Sequence, residues 1–359
     1  MTRYKHLYCI EALPVFQNRV FPTAREGMNC TRGDIDLVQD MHTGFVFNRA
    51  FKPELLVYDS NYQNEQGLSS AFQAHLQDVL SILDKHFSGM SIIEVGCGKG
   101  TFLEMLQASG YNVTGLDPTY EGVNPAVIKK YFLPETGLKA DAIVLRHVLE
   151  HVQNPYEFLL NIKRANGGNG KVYIEVPCFD WICKKRAWFD VFYEHVNYFR
   201  LRDFYRLFRD VTAAGNFFGG QYLYVLADLE SLQEPMCERV DEVSFPQDFL
   251  QPFNRWVSEI RFRQQSNKSP VVVWGGASKG VIFSLFMQNA GVDIDYVVDI
   301  NPAKQGMFLP ATGLKVSSPS EMFSKVPTGS DVFVMNGNYL PEIISMTRGK
   351  FNCMAVDYE

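Results

Sequence analysis

No apolar run in this 359-residue sequence approaches the roughly 20 residues of a membrane span. The opening Met-Thr-Arg-Tyr-Lys-His is followed by no signal-peptide core, so the expectation is a cytoplasmic protein, neither membrane-bound nor secreted. Basic residues are in deficit: 34 Lys and Arg against 40 Asp and Glu leave a net charge of −6. A broad electrostatic surface for nucleic acid or an anionic membrane needs the opposite sign, and neither is expected as a partner. The seven cysteines, at 9, 30, 97, 178, 183, 237 and 353, are odd in number and scattered. That excludes a disulfide framework and fits reduced thiols. Bias toward disorder is lacking too: 46% hydrophobic and 21% charged residues are globular proportions. At about 150 residues per domain, the length implies two or three domains.

What is present is a repeated layout. Residues 1–75 mix Pro14, Pro22, Gly27, Gly33 and Gly44 with short apolar stretches, and read as a small irregular or β-rich module. Residues 76–230 read as an α/β core. A helical face (Phe72, Leu76, Val79, Leu80, Leu83, Phe87) precedes the strand 91–95, a glycine turn and a helix over 101–108. Strands at 111–117, 140–145, 171–176 and 221–226 follow, with helices near 155–162 and 201–209. Strands alternating with helices imply a parallel, doubly wound sheet. Residues 231–269 read as a helical connector, with Phe249, Phe253, Trp256 and Ile260 on one face. A second α/β unit fills 270–359, with strands at 271–274, 294–299 and 331–335. Both units repeat strand, glycine turn, helix, strand, acid. The 28 Phe and 17 Tyr suit large cores or aromatic pocket walls.

Glycines let the chain turn sharply and approach a ligand closely. In the first unit they are spaced G-x-G-x-G, at Gly96, Gly98 and Gly100, with Glu94 two residues ahead. Asp117 ends the next strand, where such an acid binds ribose hydroxyls in doubly wound folds. A dinucleotide loop has G-x-G-x-x-G spacing instead. The spacing with its leading acid resembles motif I of class I S-adenosylmethionine (SAM)-dependent methyltransferases. Two histidine segments follow. Leu145-Arg-His147-Val-Leu-Glu-His151 leaves a strand at the sheet edge that faces the cofactor. Phe192-Tyr193-Glu194-His195-Val-Asn-Tyr198-Phe199 is the densest polar and aromatic cluster in the chain.

These motifs resemble the sugar C-methyltransferase family, which acts on NDP-ketodeoxysugars and carries a methyltransferase core between an N-terminal zinc module and a C-terminal Rossmann-like domain. The core likeness lies in the motif I loop, Arg146-His-Val-Leu-Glu-His151, Glu175-Val-Pro177 and Tyr193-Glu-His195. The C-terminal likeness lies in Gly276-Ala-Ser-Lys-Gly280, Val298-Asp-Ile-Asn-Pro-Ala-Lys-Gln-Gly306 and Asn338-Tyr-Leu-Pro-Glu-Ile343, and the N-terminal one in Tyr58-Asp-Ser-Asn-Tyr62 with Ser69 to His75. The family's two Cys-x-x-Cys pairs are degraded here to Cys9-Ile-Glu-Ala12 and Asp40-Met-His-Thr43. One thiolate of four cannot close a structural zinc site, so no metal is expected. The family's Tyr-His-Glu-His stretch reads Phe192-Tyr193-Glu194-His195, which marks a divergent branch.

The resemblance implies SAM as cofactor, held by Glu94, Gly96, Gly98, Gly100, Asp117 and His147. It implies methylation of a small-molecule acceptor, nucleotide-linked in the family. His195 is the expected general base, oriented by Glu194. His151 serves as donor or second base, and Tyr62 and Tyr193 as hydrogen-bond donors to an enolate oxygen. Opposed effects of burial and carboxylate predict a near-neutral His195. Lys279, Lys304 and Asn338 are the expected substrate contacts in the second unit. The same residues also serve O- or N-methylation. An NAD-dependent oxidoreductase and a catalytically dead SAM-binding regulator are the rival readings. The first lacks a dinucleotide loop, and the second is opposed by the presence of Glu194, His195 and His151.

Overall fold

Long alternating stretches at the N-terminus build the first sheet. In the computed structural model, which describes residues 3–56, 62–235, 241–267 and 269–357, β1 (Tyr4–Pro14) pairs antiparallel with β2 (Arg32–Asp40), and β2 with β3 (Val46–Asn48). Their inward residues Leu13, Ile35, Leu37 and Val46 are buried. A register break lies between Ile10 and Leu13, with Ala12 at φ +57 and its N–H donating to Asp34 Oδ1 at 2.9 Å. Tyr58 to Asn61 of the N-terminal motif, and Cys237, lie outside the described residues.

The core sheet follows from continuous apolar strands, the signature of a sheet covered on both faces. β4 (Ile92–Val95), β5 (Val113–Leu116), β6 (Val127–Ile128), β7 (Ala142–Arg146) and β8 (Lys171–Pro177) run parallel in the order β6-β5-β4-β7-β8. The helix Ser70–Phe87, capped by Ser69 Oγ on the Phe72 N–H, buries the predicted Phe72, Leu76, Val79, Leu80, Leu83 and Phe87 against it. The chain then crosses over. β9 (Asn197–Tyr198) leaves the core and pairs with β3, so the N-terminal sheet takes its last strand from the segment just after His195. β10 (Val211–Phe217) and β11 (Tyr222–Asp228) add antiparallel to β8. β10 escapes sequence reading because Val-Thr-Ala-Ala-Gly-Asn-Phe is half-exposed along its length and has little apolar alternation.

The helix Gln251–Asn267 leads into the second unit, where Trp256 donates its indole N–H to the Val356 carbonyl at 3.3 Å. β12 (Val272–Trp274), β13 (Tyr296–Val298), β14 (Val316–Ser317), β15 (Asp331–Val334) and β16 (Asn352–Ala355) are parallel in the order β14-β13-β12-β15-β16. The α/β, doubly wound class is as expected, with a second Rossmann-like sheet. Among the described residues, no helix is long and apolar enough to cross a membrane. Each parallel sheet reverses its strand order beside its first strand, and ligands bind beyond the carboxyl ends there. A cleft of about 370 Å³ opens at that place, walled by both units.

Candidate active site

The motif I loop forms the floor of the cleft. Gly96, Gly98 and Gly100 have φ of +75, +55 and +84, a region that excludes most side chains. A Cβ on Gly96 would also meet Val148 at 2.6 Å, whereas one on Gly98 would meet nothing within 4 Å. The backbone at Gly98 thus lies open to a ligand. Glu94 lines the cleft, is buried, and has Oε2 without a hydrogen-bond partner. Burial raises its pKa to about 7; Arg146 opposes the shift and Asp117 adds to it. An unpartnered, buried carboxylate beside an open loop suits a cation such as SAM.

Asp117 departs from expectation. It is not among the cleft-lining residues. Its Oδ2 accepts from the Gly98 N–H at 2.9 Å, and Oδ1 from the Thr119 N–H and hydroxyl at 2.8 and 2.7 Å. The carboxylate shapes the loop where a ribose contact was expected. The second unit repeats the device: Asp299 accepts from the Gly276 N–H at 2.9 Å and the Asn301 N–H at 2.8 Å.

A buried polar network joins residues of separate motif stretches. Glu175 is fully buried and receives His75 Nε2 at 2.9 Å, Tyr173 Oη at 2.8 Å and Arg146 Nη2 at 3.3 Å. Burial opposes its ionisation, but Arg146, His147 and His75 hold its pKa well below the ordinary value. His147 lines the cleft with Nδ1 3.3 Å from Glu150 and Nε2 3.0 Å from Glu175. Burial disfavours its charge, yet the two carboxylates prevail and raise its pKa to about 9. Glu175 was legible only as part of a motif; its partners come from strands and a helix far apart in sequence.

The expected catalytic group separates into two sets. His151 and His195 stay together at the cleft wall, ring centroids 5.0 Å apart. His151 Nδ1 is 3.0 Å from the Glu194 carbonyl oxygen. The Glu194 carboxylate, however, points toward the N-terminal module. It accepts from Tyr62 Oη at 2.8 Å and the Gln17 N–H at 3.4 Å, and makes no hydrogen bond with His195. The Tyr193–Glu194 turn sends neighbouring side chains in different directions, so Glu194 does not orient the His195 ring. Burial holds the His195 pKa well below its ordinary value, and the neighbouring imidazoles of His151 and His147 push it further down. The near-neutral expectation is therefore corrected. Burial raises the Glu194 pKa, against His151 and Tyr62.

Tyr193 is corrected as well. It is buried outside the cleft, accepts from the Lys52 N–H at 2.9 Å and stacks on Phe51 at 5.6 Å. Tyr62 does line the cleft. In the second unit Lys279 and Lys304 reach the cleft, but each meets an acid: Asp190 at 3.2 Å and Asp299 at 3.5 Å. Lys279 also sits 4.9 Å from the Trp181 ring. Asn338 does not line the cleft; it donates to the Phe218 carbonyl at 2.9 Å. Asn336, two residues earlier, takes the wall position and donates to Gln221 at 2.9 Å.

At the degraded zinc positions, Cys9 is exposed on β1 opposite Asp36, and Asp40 accepts from the His42 N–H at 2.7 Å. The described residues contain one group able to hold a metal, and it lies elsewhere: Glu150, His151 and His195.

Residues 68–211 match the family model of a methyltransferase domain, and residues 247–351 that of a C-methyltransferase C-terminal domain. The chain is a SAM-dependent methyltransferase. SAM is its cofactor. The methyltransferase is 24% identical over 294 residues to the C-methyltransferase NovU of Streptomyces niveus, covering 71% of this chain and 68% of that protein. It is 32% identical over 102 residues to the mitochondrial ubiquinone biosynthesis O-methyltransferase of Arabidopsis thaliana, covering 24% of this chain and 32% of that one. It is 30% identical over 111 residues to a ubiquinone biosynthesis O-methyltransferase of Rickettsia canadensis, covering 26% and 47%. The match thus spans less than half of either ubiquinone relative. Among solved structures, the PH0226 protein of Pyrococcus horikoshii has a TM-score of 0.37 at 11% identity, covering 48% of this chain and 99% of that one.

Proposed function

We propose that this methyltransferase moves the SAM methyl group to a carbon of a small enolisable acceptor, a nucleotide-linked ketosugar or a related biosynthetic intermediate, in the cytoplasm. The observation that carries the reading is the His151–His195 pair on the cleft wall beside the motif I loop. The C-methyltransferase match over 247–351 favours carbon over oxygen or nitrogen as the acceptor atom.

Bound SAM supplies an electrophilic methyl group. Glu94 and the open backbone at Gly98 would hold the cofactor's cationic end. His195, neutral at ordinary pH, takes the proton as the acceptor's C–H bond breaks; the electron pair forms the new carbon–carbon bond as the methyl leaves sulfur, giving S-adenosylhomocysteine (SAH). Glu194 acts at one remove, its carbonyl fixing His151 and its carboxylate tying the turn to Tyr62 and Gln17. Lys279 and Lys304 are the cations of the second unit at the cleft; a substrate phosphate there would share them with Asp190 and Asp299.

The test is incubation with SAM and a panel of nucleotide-linked ketosugars, with NMR of the product. A new carbon-bound methyl is expected, and His195→Ala should lower transfer by about 10²–10⁴-fold while keeping SAM affinity. A product methylated on oxygen or nitrogen overturns the carbon reading.

A further inference from the structure

Residues 63–69 join Tyr62, which bridges to Arg19 of the N-terminal module, to the helix Ser70–Phe87. Asn64, Glu65, Gln66 and Leu68 line the cleft, as the motif I loop does. Residues 63–66 belong to no helix or strand. A backbone bond from the Gln63 N–H to the Asn18 carbonyl, at 2.8 Å, anchors the start of the segment. Two side-chain bonds then tie it to the motif I loop. Lys99 Nζ, between Gly98 and Gly100, donates to Gln63 Oε1 at 2.8 Å. Thr101 Oγ1, at the start of the helix Thr101–Ala108, donates to Glu65 Oε2 at 2.9 Å. The other Glu65 oxygen accepts from the Gly67 N–H at 2.5 Å, which fixes the carboxylate.

The second unit holds the same segment from its far end. Tyr339 Oη donates to Gln66 Oε1 at 2.9 Å. Glu342 accepts from Ser69 Oγ at 2.5 Å, and from the Ser70 and Ala71 N–H groups at 3.1 and 3.3 Å. Those two N–H groups lie in the first turn of the helix Ser70–Phe87, where no acceptor exists within the helix, and a carboxylate suits that end of its dipole. Both holds reach across 273 residues of sequence. The segment is thus pinned on one side to the loop that takes the cofactor and on the other to the second unit. An irregular segment held by side-chain bonds opens at lower cost than the sheet and helices around it.

We infer that residues 63–69 form a strap that gates exchange of SAM and SAH, and that Tyr339 and Glu342 of the second unit are positioning residues that hold it shut. A cofactor held at the open Gly98 backbone shares the cleft with the strap. Its entry and departure wait for the Lys99 and Thr101 bonds to release. That release becomes easier when the second unit loses its hold, so the second unit sets the exchange rate without touching the motif I loop. The inference rests on SAM as cofactor, and is independent of which acceptor atom takes the methyl group.

The experiment is stopped-flow binding of SAH to the full-length protein with no acceptor added, read by fluorescence, since Trp274 lies in the cleft wall. A gate slows entry and exit alike. Loosening it raises both rates and leaves the dissociation constant nearly unchanged. Tyr339→Phe removes one hydroxyl and Thr101→Val another. Each should raise the association and dissociation rates together by about three- to ten-fold, the worth of one hydrogen bond in the closed state, with Kd within about two-fold. Glu342→Ala should act in the same direction, with circular dichroism verifying that it is folded. Lys325→Ala, on the second unit's surface beside Glu321, should change neither rate. Unchanged rates in both Tyr339→Phe and Thr101→Val overturn the gate. A faster dissociation alone, with affinity weakened to match, makes these residues direct cofactor contacts and overturns it as well. A product methylated on oxygen or nitrogen would remove the carbon reading and leave these rates as they are.

Discussion

Glu94 sits in the motif I strand with a buried, unpartnered oxygen, and its pKa is raised from 4.5 to about 7. Moving the pKa from 4.5 to about 7 corresponds to roughly 3 kcal/mol. A raised carboxyl pKa means that the folded protein holds the proton more tightly than the unfolded chain. That stabilisation is fully present below about pH 4.5, and is lost as pH rises through about 7. Above pH 7 the ligand-free protein carries a buried charge that Arg146 offsets only in part. Glu94→Gln removes the charge and keeps the shape. The variant should be more stable than the parent at pH 8, by up to roughly 3 kcal/mol, with the difference fading toward pH 5. Its SAM affinity should fall, and the parent's rise in affinity through pH 7 should flatten. Urea unfolding at pH 5 and 8, with calorimetric SAM titrations, measures both. A Glu94→Gln variant less stable than the parent at pH 8, or a parent whose SAM affinity is flat from pH 6 to 8, would refute the reasoning.

Further outcomes follow from the contacts. Asp117→Ala should weaken SAM binding by about 1–3 kcal/mol by calorimetry, because the Gly98 N–H loses its charged acceptor. Tyr193→Phe should leave transfer within two-fold and cost about 1 kcal/mol of stability through the lost Lys52 contact; a large loss of transfer would return Tyr193 to the site. Lys279→Met should destabilise the protein by about 3–5 kcal/mol in denaturant, since it leaves Asp190 buried and unpaired. Cys9→Ser should leave metal content unchanged by elemental analysis, because its strand is held by pairing with β2.

The glycine loops, the strands around them and the histidine segments were legible because each rests on local chemistry. A G-x-G-x-G run after an apolar strand needs positive φ wherever it folds, and the structure has it at all three glycines. Helical spacing from Phe72 to Phe87 likewise decided which face is buried before any neighbour was known. The fate of individual polar side chains was not local. Glu194 and His195 are adjacent in sequence, yet one turn directs the carboxylate to Tyr62 and Gln17 and the imidazole to the cleft. Tyr193 was drawn into the packing of Phe51, and Asn338 gave its place to Asn336, because register within a loop moves a side chain by several ångströms without changing its motif. Glu150 was one letter of a familiar stretch. Only the approach of His195, 45 residues later and just ahead of the β9 strand that pairs with β3, adds its imidazole to those of His147 and His151 near the Glu150 carboxylate. Sequence by itself determined the core sheet and the glycine loop, since these depend on backbone conformation and apolar period, and the resemblance of that loop to motif I implied the cofactor. Tertiary structure decided which acids and bases meet, since that depends on distances between segments that no local pattern encodes.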